Sequence, residues 1–392
     1  MQNRVWAEVS LEAIAHNFRL LSARYGDVAA VVKANAYGHG LVPIARACVA
    51  AGASRLCVAT LDEALSLRKA GISQAIYPLS ALLPDEADDC VRAALTPFIS
   101  SPEFFAAFAQ AAQAAPLPAK CFLVLDTGMG REGLSYEQLQ EIRAHCPASV
   151  ELVGITTHFA SADEEELDFT ETQSKAFAAA CDSWMGEVSL TNSPAMLKAP
   201  PTHNSARASA CFHRAGAILY GIEPYSGALA ECPVLPALTL KARLTLVKTL
   251  PAGATVGYGR THTLARDSVI ATIPAGYGDG WLRRLGNRGF VSVHGQRCLI
   301  VGRVSMDQCQ VDVTEVPGVA VGDMVTLIGD GITALEVSQW AETTPHEPTT
   351  LLNSRVPRYY PPPPNPSSQS WEEGERRGAR VLNGAENPEV HR

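Results

Sequence analysis

The sequence predicts an α/β chain: an N-terminal (β/α)8 TIM-type barrel over residues 1–229, a mostly β-strand domain over 230–360 and a disordered tail over 361–392. Three observations carry this reading. From residue 28 to about 225, short apolar β-branched runs alternate with helical patterns, as parallel strands joined by crossover helices do. After Pro224 the texture changes to alternating strands broken by Gly, Pro and Asp, as in "ALTLKARLTLVKTL" and "GFVSVHGQRCLIVGRVSMDQCQVDV". The length, 392 residues, also exceeds what one ordinary core accommodates.

The barrel strands are expected at Val28–Val32, Arg55–Ala59, Ala75–Leu79, Leu95–Ile99, Cys121–Leu125, Leu152–Thr157, Val188–Thr191 and Ala217–Tyr220. Between them lie patterns such as "TLDEALSLRKAG", where Thr60 or Asp62 can cap, Leu61, Ala64, Leu65 and Leu67 form an apolar stripe, and Gly71 ends the turn. In such a barrel the chemistry sits where strands hand over to the following loops. Beyond residue 230 little helix is expected until about Leu335–Ala341. The tail is Pro-rich, then charged, with almost nothing apolar to bury.

Composition narrows the function. The chain is 47% hydrophobic and 18% charged with a formal charge of -8, so it has no domain-scale basic excess for nucleic acid or an anionic membrane. Small solutes are the expected partners. The start lacks the basic, apolar and cleavage regions of a secretory signal, and no run reaches the roughly eighteen apolar residues of a membrane span; a cytoplasmic location is expected. The ten cysteines form no CxxC pair and are mostly flanked by apolar residues, as packing thiols are, and no metal site is expected.

The strand ends carry unusual residues. In "AVVKANAYGHG" an apolar run ends in Lys33 and passes into Asn35, Tyr37 and two glycines. A sheltered lysine loses its proton readily and becomes a nucleophile toward carbonyls, the chemistry of a Schiff base; a lysine whose head merely snorkels to water is the plain alternative. The same rim receives Arg131 from "DTGMGREG", His158 from "THFAS", Asn192 and Ser193 from "TNSPAM", and Arg214, Gly216 and Tyr220 from "HRAGAILYG". Singly, each has a structural explanation: glycines make turns and a lone histidine is usually a satisfied packing group. Their coincidence at one barrel mouth points to a site.

The ordered words "AVVKANAYGHG", "DTGMGREG", "THFASAD", "SLTNSPA", "HRAGAILYGIEPY", "VGYGRTHT", "AGYGDG", "VGRVSMDQCQVDVT" and "RVPRYY" cover residues 5 to 360, and in them the chain resembles the alanine racemases. The resemblance implies a pyridoxal 5'-phosphate enzyme that interconverts L- and D-alanine as a homodimer, supplying D-alanine for peptidoglycan. It makes Lys33 the cofactor-bearing lysine and one acid/base group, and Tyr258 of the partner subunit the other. His158 and Arg214 would support that tyrosine, whose ordinary pKa of about 10 is high for a base. Tyr37, Asn192, Ser193, Gly216, Ala217 and Tyr220 are implied around the cofactor, and Arg214 at its ring nitrogen, where a guanidinium can only donate. Arg131 would clamp the substrate carboxylate with Met306, while Tyr277 and Asp307 line the entrance.

The chain also departs from that family. Many members carry a carbamylated lysine two residues before the aspartate of "DTGM", where this chain has Val124, and some carry a phosphate-binding tyrosine where it has Ser354. Residues 342–350 read as a shortened connection. Rival readings are a serine or broad-specificity racemase of the same fold, a decarboxylase of the same barrel type, for which no glycine-rich phosphate loop or late cysteine–aspartate pair is found, and a non-catalytic cofactor carrier, against which the domain bearing Tyr258 argues.

Overall fold

The computed structural model describes residues 3–181, 184–198 and 210–362. The first strand, β1 (Val5–Val9), is followed by the helix Leu11–Tyr25. Ser10 caps that helix by accepting from the Ala13 N–H at 3.0 Å, its buried face is Ile14, Phe18 and Leu21, and Gly26 at φ +85° ends it.

Strands β2 (Val28–Val31), β3 (Arg55–Val58), β4 (Ala75–Pro78), β5 (Phe98–Ile99), β6 (Ala119–Val124), β7 (Val150–Thr156), β8 (Glu187–Ser189), β9 (Ala210–Cys211) and β10 (His213–Ala215) form the barrel. All pairings are parallel, in the orders β10-β2-β3-β4 and β5-β6-β7-β8-β9. The Thr96 N–H bonds to the Ile76 carbonyl at 3.0 Å and stitches the β4 side to the β5 side. The stretch β9–β10 closes the ring, with β9 on β8 and β10 on β2. Tyr77, Phe98, Phe122 and Phe212 fill the interior with ring centroids 5.2 to 6.0 Å apart, so the barrel is packed and its chemistry is left to the rim.

The eighth barrel strand is therefore not Ala217–Tyr220, which is a 3-10 turn. An apolar run of four reads alike as buried strand or buried turn, and the true strand was hidden because its middle residue is charged Arg214. Leu219 and the neighbouring Leu235 are pinned to the first helix by Asn17, whose Nδ2 donates to the Leu219 and Leu235 carbonyls at 3.0 and 2.8 Å.

The second domain holds β11 (Leu238–Arg243), β12 (Leu246–Leu250), β13 (Thr255–Val256), β14 (His262–Thr263), β15 (Ser268–Ile273), β16 (Phe290–Val293), β17 (Gln296–Val301), β18 (Cys309–Asp312), β19 (Met324–Ile328) and β20 (Arg358–Tyr359). Its nine-stranded sheet runs β12-β15-β18-β17-β16-β19-β11-β1-β20. Residues 5–9, grouped by the sequence with the barrel, thus belong to this sheet: β1 pairs antiparallel with β11 and parallel with β20. Helix Ala334–Ala341 follows, and the segment read as a shortened connection contains a further helical turn, Glu347–Thr350. Residues 363 onward of the expected tail lie outside the described residues. All ten cysteines are free thiols, and among the described residues no helix is long and apolar enough to cross a membrane.

Candidate active site

Lys33 is the first residue of the turn that follows β2. The chain then runs through Ala34, Asn35, Ala36 and Tyr37 with φ of 51, 53, 54 and 52°, a left-handed helical turn built from non-glycine residues. Each such residue costs about 1–2 kcal/mol, so the surroundings must hold the turn. Glu63 does so from the next unit, its Oε1 accepting from the Asn35 N–H at 3.1 Å and its Oε2 from the Ala59 N–H at 2.9 Å. Asn35 Oδ1 accepts from the Leu41 N–H at 2.9 Å. Buried His39 donates Nδ1–H to the Tyr37 carbonyl at 2.9 Å. Gly38 is required, because at φ +82° a Cβ would lie 1.9 Å from the Thr349 carbonyl oxygen. Strain held in place like this is typical of functional sites. Its result is that Lys33 stands in shelter, where burial first, and then the positive charge of Arg131, lowers its pKa from the ordinary lysine value.

A cradle of anion-binding character lies beside it. Ser193 Oγ accepts from the Gly216 and Ile218 amides at 3.0 and 3.4 Å. A Cβ on Gly216 would stand 2.6 Å from Tyr37 Oη and 3.6 Å from Ser193 Oγ, so the space between these hydroxyls exists because residue 216 has no side chain. Tyr37 packs on Tyr220 with centroids 4.9 Å apart, and Tyr220, fully buried, donates its hydroxyl to the Val31 carbonyl at 2.8 Å. Asn192 Oδ1 accepts from the Ala195 N–H at 3.2 Å and so caps the helix Ser193–Lys198. Ala217 is buried.

Arg214 forms the floor. It is 4% exposed, and its terminal nitrogens donate to Thr156 Oγ1 at 2.9 Å, Ser189 Oγ at 2.7 Å and the Thr157 carbonyl at 2.8 Å. One of them also reaches His158 Nδ1 at 3.2 Å. Burial lowers the Arg214 pKa to about 10, which still leaves it charged at neutral pH. His158 is pushed well below the ordinary histidine value by burial, then by the charges of Arg214, Arg131 and Lys33. It is neutral, and because a guanidinium can only donate, Nδ1 accepts and the ring proton resides on Nε2.

Lys33, His158 and Arg214 share a cavity of about 270 Å³, which Arg131, Glu132 and Val124 also line. Its outer wall is the loop after β6, shaped by Asp126, whose Oδ1 accepts from the Gly128 and Gly130 amides at 2.9 and 3.1 Å.

The remaining expected residues lie elsewhere. Tyr258, Tyr277 and Met306 are 75, 44 and 53% exposed on the second domain. Their loops are joined, the Tyr277 N–H bonding to the Ser305 carbonyl at 3.1 Å and the Gly278 N–H to the Met306 carbonyl at 2.8 Å. Asp307 accepts from Arg355 at 2.9 Å. Tyr258 lines a separate open groove with Arg303, Ser305 and Gln308. Within one chain, none of these four lines the Lys33 cavity.

Comparison with known proteins decides the family. Residues 9–224 match the description "Alanine racemase, N-terminal domain" and residues 237–360 match "Alanine racemase, C-terminal domain". The chain belongs to the alanine racemase family. It is similar to the alanine racemase of Carboxydothermus hydrogenoformans, 40% identical over 370 residues that span 91% of this chain and 99% of that one. Among solved structures it is similar to alanine racemase from the D-cycloserine producer Streptomyces lavendulae, with a TM-score of 0.85 and 36% identity, covering 92% of this chain and 98% of that one. It is also similar to the Bartonella henselae alanine racemase with covalently bound pyridoxal phosphate, with a TM-score of 0.84 and 29% identity, covering 92% and 100%.

Membership makes the chain an amino-acid racemase, and its departures can now be located. Val124 lines the cavity near Arg131. Ser354 is exposed, whereas His346 packs edge-on against Tyr37 at 5.7 Å and feels the charge of Lys33. Glu132 and His346 both escaped the sequence reading. The first had a signal, an acidic residue directly after Arg131 in "GREG"; the second, in the turn before Glu347, had none.

Proposed function

We propose that this alanine racemase family member interconverts L- and D-alanine in the cytoplasm, with pyridoxal 5'-phosphate carried on Lys33 and two protein groups exchanging protons on opposite faces of the substrate Cα. The cradle supports the cofactor: Tyr37 Oη and Ser193 Oγ flank a space that a Cβ on Gly216 would enter, and Ser193 Oγ, which accepts from the Gly216 amide, keeps its own hydroxyl proton to donate, a pair of hydroxyl donors suited to a phosphate. When bound, the cofactor would hold the amino group and draw electron density from Cα.

The chain's own residues supply the rest. Lys33, poised toward its neutral form, removes or returns a proton on one face. Arg214, charged and able only to donate, would hold the cofactor's ring nitrogen unprotonated and so limit electron withdrawal, favouring return of the proton to Cα. Arg131 holds the substrate carboxylate. Tyr258 of the partner subunit serves the opposite face, with Met306, Tyr277 and Asp307 reaching the entrance from the same subunit. Exposed Tyr258 lines a separate groove and not its own chain's cavity, which favours a homodimer with shared sites. The neutral His158, presenting Nε2–H, offers that tyrosine a hydrogen-bond donor for its oxygen as the proton leaves. The biological product is D-alanine for peptidoglycan.

The observation that carries the reading is the lowered pKa of Lys33 in one cavity with the Arg214–His158 pair. Incubation of L-alanine, and separately L-serine, with the protein and pyridoxal phosphate, followed by chiral chromatography, tests it. D-alanine should form, faster than D-serine, and should not form with Lys33→Ala.

A further inference from the structure

We propose that Glu132 is the positioning residue that fixes Arg131 for the substrate carboxylate, taking the place of the modified lysine that Val124 cannot provide. The proposal rests on the reading of Arg131 as the carboxylate clamp. Arg131 extends from the loop after β6, half exposed, and a long side chain there samples many rotamers unless something holds it. Glu132 Oε1 lies 3.3 Å from the Arg131 terminal nitrogen, while its Oε2 accepts from the Ala81 N–H at 2.9 Å. Ala81 belongs to the loop after β4, so this carboxylate ties two rim loops together and is itself oriented, with its side chain 20% exposed against 52% for Arg131.

Charge in the cavity points the same way. Lys33, Arg131 and Arg214 bring three basic side chains, two of them guanidinium cations, and the carboxylates among the lining residues are Asp126 and Glu132. Asp126 already serves the Gly128 and Gly130 amides. Glu132 is the carboxylate left to partner the clamp, and its negative charge acts on Lys33 opposite to that of Arg131. Val124, on the adjoining wall, has neither charge nor a group that carbon dioxide could modify.

The test is a double-mutant cycle with Arg131→Gln and Glu132→Gln, reading KM and kcat for alanine together with the absorption spectrum and melting temperature of the holoenzyme. Glu132→Gln keeps an acceptor for the Ala81 amide but removes the charge. We expect a KM about tenfold higher with the cofactor spectrum unchanged, and almost no further effect of Glu132→Gln in the Arg131→Gln background. Glu132→Asp should retain more kcat/KM than Glu132→Gln. A Glu132→Gln penalty of the same size with and without Arg131 would mark a purely structural staple and overturn the proposal, as would wild-type KM in Glu132→Gln or equal losses in the Asp and Gln variants. If Glu132→Gln loses cofactor or fold, the Asp comparison decides. Absence of racemisation by the wild-type holoenzyme would instead overturn the functional reading itself.

Discussion

Arg214 donates to Nδ1 of His158 across 3.2 Å, and this contact fixes where the histidine carries its proton. With Nδ1 accepting and the ring kept neutral by burial and nearby cations, the proton sits on Nε2. His158, which lines the cavity, is thereby a hydrogen-bond donor at Nε2, the form needed to stabilise a tyrosinate. Replacing it by Phe should lower kcat by about 100-fold while leaving cofactor affinity nearly unchanged, measurable by steady-state racemisation beside a pyridoxal phosphate titration.

The cradle depends on Gly216. Gly216 sits at φ -97° and ψ -110°, outside the helical and extended regions, and the methyl of Gly216→Ala would stand 2.6 Å from Tyr37 Oη. The Kd for pyridoxal phosphate should rise by about tenfold or more in protein that still folds, read by cofactor titration beside a melting curve of the cofactor-free protein.

Gly38 is crowded by backbone instead. At φ +82°, with the Thr349 carbonyl 1.9 Å from a Cβ, Gly38→Ala should destabilise the fold by about 3 kcal/mol or more, read by denaturant unfolding. The loss would also loosen the left-handed turn that shelters Lys33.

Acid should unfold the cofactor-free protein through its buried histidines. His39 has its pKa lowered to about 4 by burial, and His158 is also well below the ordinary 6.5. Between the folded and unfolded values the unfolded chain binds more protons, so stability rises with pH through this window and is lost as pH falls below about 6.5, by about 1.4 kcal/mol per pH unit for each histidine. Melting temperatures from pH 7 to 4 should show this slope, and His39→Phe should flatten it.

Much of the site was legible because its residues contradict their surroundings. Lys33 ends an apolar run, and Arg214 stands within a buried strand, so each announces a role that packing does not require. Arg214, for the same reason, concealed the closing strand, which periodicity displaced to Ala217–Tyr220. Residues 5–9 were grouped with the barrel because the pairing of β1 with β11 and β20 is a long-range choice that no local pattern encodes. The left-handed turn at Ala34–Tyr37 was invisible for a similar reason: Glu63, from the following unit, and Thr349, from far along the chain, stabilise or crowd it, and alanine carries no preference for that geometry. Glu132 reads as a surface acid until the Ala81 amide is seen to hold it.

The sharing of each site between two subunits is tested most directly by mixing two inactive variants. Lys33→Ala and Tyr258→Phe, produced together so that mixed dimers form, should regain racemisation, because one site in the mixed dimer combines the intact Lys33 of one subunit with the intact Tyr258 of the other. If Tyr258 acted on its own chain, every subunit would lack one group and the mixture would stay as inactive as its parents, contradicting the account.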